Sequence, residues 1–201
     1  MADQVKINVV MSTIAILTVP PQQSAISQKE LEQVLTPPLT IGQSTEGLLV
    51  SSQKDQIQVI AGGNKTNVQD LSGSKTFSRS KIPTILDFFV KKFKLDVTSY
   101  GVNFVINVPC TEPEKWVADN LLSTQVSQKT GETLIGYGAT LKIVAGQKIW
   151  NVKFEPSGDK VINVNFNASE ETRQLPDKKR LREELQEQFG ALQKLLNDLE
   201  L

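Results

Sequence analysis

The amino-acid sequence predicts an α+β fold: largely antiparallel sheet, covered on one face by short helices and joined to a long C-terminal helix. Three observations predict it. Apolar and polar residues alternate along short runs bounded by turn residues, the period of strands with one wet face. Capping signatures and apolar stripes at helical spacing interrupt those runs. Residues 170–201 hold 14 charged side chains in 32 positions, against 30 in the 169 before them, so the tail has a separate structural role.

Taken in order, Ile7 to Val19 is rich in Val, Ile and Thr and reads as a buried strand. A leader peptide fits less well, because Asp3 offsets Lys6, and Asn8, Ser12 and Thr13 break the apolar run. The run is also too short to span a bilayer, so no membrane association and a cytoplasmic location are expected. Ser27-Gln28-Lys29-Glu30 is a capping box that opens a helix of barely two turns, stopped by Thr36-Pro37-Pro38. Leu48 to Ser51, Gln56 to Ala61 and Lys65 to Leu71 form a predicted three-strand meander, with turns at Gln53-Lys54-Asp55 and Gly62-Gly63-Asn64.

Lys81 to Lys94 is the clearest internal helix, with Ile82, Ile85, Leu86, Phe89 and Phe93 on one stripe and lysines favouring its C-terminal dipole. A strand follows from Tyr100 to Val108. Thr111-Glu112-Pro113-Glu114 reads as a second capping box, opening a helix that carries Trp116, Val117 and Leu121. After a polar loop around Gln128 to Glu132, a second meander is predicted from Thr133 to Asn167, and a long helix after Leu175-Pro176-Asp177. The domain reading is an α+β core over 1–169 and an amphipathic C-terminal helix over 170–201. Ile-Asn-Val recurs at 7–9, 106–108 and 162–164, and each half runs from meander to helix. An internal duplication, with halves about 1–110 and 111–169, is one reading of that echo.

Composition excludes more than it selects. The chain has no histidine, which removes the usual Ser-His-Asp and Cys-His systems and histidine-bearing metal sites. Its single cysteine, Cys110, allows neither an intrachain disulfide nor a CxxC pair, and with no base at hand it reads as a structural thiol. Twenty-two basic and 22 acidic residues balance, so a protein that blankets nucleic acid or anionic membrane is disfavoured. No catalytic residue, metal site or cofactor is assigned. Ala61-Gly62-Gly63-Asn64-Lys65-Thr66 lacks the glycines of a phosphate-binding loop and reads as a hairpin turn.

The least ordinary feature is a set of asparagines in predicted strands, where that residue is depleted. Asn103, Asn107, Asn151, Asn163 and Asn165 (with Asn167) alternate with the large apolar residues and so share the opposite faces. A polar recognition surface for a neutral ligand such as a sugar or peptide is the functional reading; a merely solvated face is the plainer one. In the tail, Leu181, Leu185, Leu192, Leu195 and Leu199, with Gln188, space as an approximate heptad seam. That seam would dock on sheet or pair with a second copy. The expectation is therefore a non-catalytic binding or assembly module, homo-oligomeric through the helix, with room for a protein partner.

Two alternatives come from other classes. A carboxylate-dependent hydrolase would draw on acids such as Asp55, Asp70, Glu112, Glu114, Asp119 or Glu132, though no spacing singles out a pair. Single-stranded nucleic-acid binding would use Lys75, Arg79, Lys81, Lys91, Lys92 and Lys94 with interleaved Phe77, Phe88, Phe89 and Phe93. It is the less favoured, because Phe89 and Phe93 lie on an apolar stripe and only Phe77 reads as free.

Overall fold

The first strand, β1 (Asn8–Thr18), runs through the middle of a nine-stranded antiparallel sheet in the computed structural model, which describes residues 5–19, 26–121 and 138–201. A short helix α1 (Gln28–Leu31) follows, then the strands β2 (Leu39–Ser44), β3 (Gly47–Ser52), β4 (Ile57–Gly62) and β5 (Lys65–Asp70), and helix α2 (Ile82–Phe93). The second part repeats this plan with β6 (Val97–Pro109), α3 (Pro113–Leu121), β7 (Ala139–Ala145), β8 (Lys148–Pro156), β9 (Val161–Glu171) and α4 (Lys178–Asp198). Spatially the order is β2-β3-β4-β5-β1-β6-β9-β8-β7.

That order reads nearly the same from either end. In each part the first strand lies at the centre, and a meander returns so that its last strand pairs with the first: β5 with β1, and β9 with β6. The two central strands, β1 and β6, then pair antiparallel. The topological repeat divides the chain between α2 and β6, not near residue 110, because β6 plays in the second part the role of β1 in the first. The C-terminal helix belongs to that second part: Leu181, Leu185, Phe189, Leu192 and Leu196 lie in the same core cluster as the sheet.

All helices among the described residues pack on one face. Alternation dictates which: Val102, Phe104, Ile106 and Val108 of β6, and Ile162, Val164 and Phe166 of β9, are at most 1 % exposed and share one core cluster with the apolar residues of α2 and α4. Phe77, Phe104 and Phe189 form a triangle with ring centroids 5.4–5.6 Å apart, joining the loop before α2, the central strand and α4. Phe77 is thus fully buried rather than free in its loop, a correction that follows from the large apolar area an aromatic ring removes from water.

The capping box at Ser27 forms: the Glu30 N–H donates to Ser27 Oγ, and the Ser27 N–H donates to Glu30 Oε2 at 2.9 Å. The second one does not. Pro113 takes the first helical position, where its missing N–H costs nothing, so Glu112 (φ 58°) occupies the cap and Thr111 stands one residue too early. Strand β2 was not predicted, since Leu39-Thr40-Ile41-Gly42-Gln43-Ser44 has no turn-bounded run of β-formers; it is held by pairing with β3 alone among the described residues. The expected loop at Gln128 to Glu132 and the first residues of the second meander lie outside the described residues.

Candidate binding face

The face away from the helices carries none of them among the described residues, and its side chains follow from the registers. Thr13 stands opposite Gln69 on one side and Asn103 on the other. Asn103 stands opposite Asn167, Asn167 opposite Asn151, and Asn151 opposite Lys142. In the other direction Gln69 meets Gln58, Gln58 meets Ser51, and Ser51 meets Thr40. One row of polar side chains therefore crosses all nine strands, uncharged except at its Lys142 end. With strands about 4.8 Å apart it extends roughly 38 Å.

A second, shorter row explains the recurring Ile-Asn-Val. The three copies lie side by side on β1, β6 and β9, which brings Asn8, Asn107 and Asn163 into line. Asn163 Nδ2 donates to Asn107 Oδ1 at 3.0 Å, and Asn167 Nδ2 donates likewise to Asn103 Oδ1. Each pair uses one donor and one acceptor and leaves the other amide nitrogen and the other oxygen facing outward.

Across the long row, at the centre of the sheet, is a depression of about 420 Å³ that extends away from the shorter row. Its floor is set by small residues: Ala15 of β1 faces Gly101 of β6, which faces Ser169 of β9. Met11, Leu17 and the amides of Asn67, Asn103 and Asn167 stand around it. Thr13 and Asn67 are 4 % and 8 % exposed, yet Thr13 Oγ1 and Asn67 Oδ1 have no hydrogen-bond partner among the described residues. Buried polar atoms are normally satisfied, so two orphans on residues lining one depression set it apart from the rest of the face. Lys65 is the only charged side chain among those lining it.

Of the asparagines singled out from the sequence, Asn103 and Asn165 line the depression, Asn151 lies beside it in the long row, and Asn107 and Asn163 form the neighbouring pair. Thr13, Asn67 and Gln69 were missed. Asn67 and Gln69 carried the same signal, alternation with Thr66 and Val68 in the first meander. Thr13 and Ala15 did not, because the apolar Ile14 to Leu17 run hides which of its residues face outward.

Of the two covers expected for the leucine seam, a sheet and a second copy, the chain's own sheet takes its first part. Leu181, Leu185 and Leu192 are at most 1 % exposed against the chain's own sheet, which leaves them no surface for a second copy. Beyond them the buried line passes to Leu196, with Leu195 and Leu199 only partly buried, because a straight helix on a sheet keeps a period near 3.6 and drifts off a heptad.

Several residues of the two alternatives are tied up elsewhere. Asp55 accepts from Lys81 at 2.7 Å and from the Thr36 N–H at 2.7 Å; burial works to raise its pKa, but these bonds outweigh it and hold it below the usual carboxylate range. Asp70 accepts from the Ser72 N–H, Glu112 faces Lys115 at 3.8 Å, and Glu132 lies outside the described residues. Burial pushes the Cys110 thiol up, away from reactivity. In the basic segment Lys91 pairs with Asp87 and Lys92 with Glu30, while Phe89 is buried and Phe88 and Phe93 pack on the core. No helix among the described residues is long and apolar enough to cross a membrane. No protein family matches the chain, and a search of curated proteins finds no match to it.

Proposed function

We propose that the protein is a non-catalytic binding module whose helix-free face holds an elongated, uncharged ligand rich in N–H, O–H and C=O groups, such as an extended polypeptide segment. The observation that carries this reading is the polar row across nine strands, with unpartnered Thr13 and Asn67 oxygens at its centre. A row this long suits a polymer better than a metabolite, and amide pairs that each keep a free nitrogen and a free oxygen suit a chain of peptide groups. Charge argues in the same direction. On this face Lys65, Lys142 and Lys153 stand against Glu155 and Glu171, and Lys153 is itself paired with Glu155 at 2.6 Å, which is too thin a basic footprint for phosphates. No aromatic ring among the described residues stands on this face to stack unpaired bases.

The test is an array of uncharged peptides probed with the intact protein and three variants. Asn103→Leu and Asn167→Leu remove the centre of the row, and Ala15→Leu fills the depression without touching the helix side. Capture that survives high salt and disappears in all three variants, with melting temperature nearly unchanged, is the expected result. Capture indifferent to the variants would overturn the reading, as would binding of duplex or single-stranded nucleic acid that collapses with added salt.

A further inference from the structure

On the opposite side of the sheet, where the β7–β8 hairpin meets α4, there is a second depression of about 430 Å³. Its charges are closed in on themselves. Lys148 donates to Glu170 at 2.6 Å and to the Tyr100 hydroxyl at 3.1 Å, and it pairs with Glu184 at 3.1 Å; Arg180 meets Glu184 at 3.1 Å. Two cations stand against two carboxylates, so a charged guest would leave one charge uncompensated in a half-buried site.

Two of the lining residues carry a buried polar atom without a partner among the described residues: Trp150 Nε1 and Gln188 Oε1. Gln188 is only 8 % exposed, and its Nε2 donates to Glu184 Oε1 at 2.9 Å, which orients the amide and leaves the carbonyl oxygen as the unmet end. An indole N–H can only donate and an amide oxygen can only accept. The guest that satisfies both must present an acceptor and a donor while carrying no net charge. A carboxamide or lactam does this within one group.

We infer that this depression is a binding site for a small neutral molecule bearing a carboxamide or lactam, recognised by the Trp150 N–H and the Gln188 carbonyl. The site is separate from the helix-free face and does not depend on what that face binds. Its size lies at the small end of ligand pockets.

Nicotinamide and its charged counterpart nicotinate make a matched pair of probes for the full chain. Titrated with nicotinamide, the Trp150 indole N–H resonance is expected to shift saturably while that of Trp116 stays put, and nicotinate should leave both unmoved. Gln188→Leu and Trp150→Phe should each weaken nicotinamide binding about tenfold in ligand-observed NMR, the loss of one hydrogen bond. The Trp116 resonance reports that each variant is folded. A Trp150 resonance indifferent to nicotinamide means that water alone bridges the two atoms and overturns the inference. Equal response to nicotinate, or full binding by folded Gln188→Leu, does so as well.

Discussion

Glu30 caps the N-terminus of α1 and also reaches Lys92, 62 residues further on. The Lys92 bond first, then the Ser27 N–H and hydroxyl, hold its carboxyl down at about 2 from an ordinary 4.5. A folded value below the unfolded one means that the stabilisation is fully present above about 4.5 and is lost as pH falls toward about 2. Glu30→Gln is therefore expected to lower the urea midpoint above about pH 4.5 and to converge with the parent curve as pH falls toward about 2, so that the acid limb flattens. An unaltered acid limb would show that the pair contributes nothing. Half of this site was legible in advance: Ser27 to Glu30 is a local spacing, whereas nothing in a linear string announces Lys92. The same division separates Asn103 and Asn163, visible through alternation, from Thr13, whose orphaned hydroxyl depends on strands distant in sequence.

Helices show most clearly what the one-dimensional pattern holds and what it leaves out. The stripe of α2 could be read directly, since Ile82, Ile85, Leu86 and Phe89 are all buried. The leucines of α4 were equally visible, but periodicity shows that a face is apolar and is silent about what covers it. Here the cover is the chain's own sheet. Arg182 strengthens the seating by donating to the Ser80 carbonyl at 3.1 Å and to Thr84 Oγ1 at 3.2 Å. A chain ending at Gln174 loses the five large side chains at Leu181, Leu185, Phe189, Leu192 and Leu196 from the core. At roughly 1.5–3 kcal/mol each, their burial rivals the whole stability of an ordinary domain. Thermal scans of that truncation are expected to show no cooperative transition; a sharp one would make α4 an accessory. Strand β2 marks the opposite limit, a segment with little intrinsic preference that exists because β3 supplies a template.

Across the whole molecule, the two parts of the near-mirror order are joined through the β1–β6 ladder, through the packing of α4 beside α2, where Lys178 meets Asp87, and through the triangle of Phe77, Phe104 and Phe189, which takes one ring from the first part and two from the second. A fragment ending at Leu95 would bare both the inner edge of β1 and Phe77. It is expected to elute as aggregate or dimer in size-exclusion chromatography, and to become monomeric when co-expressed with residues 96–201; a stable monomeric fragment would contradict this. The faint tripeptide echo pointed toward repetition, but its third copy lies in β9, the counterpart of β5, so recurrence of letters and recurrence of topology coincide only in part. One consequence reaches past this chain. Because every helix described sits on the same side of the sheet, the residues that hold the core and those of the helix-free face form separate sets, and the exposed lattice of small and amide groups can be rewritten position by position, as a typesetter changes letters in a frame that stays locked.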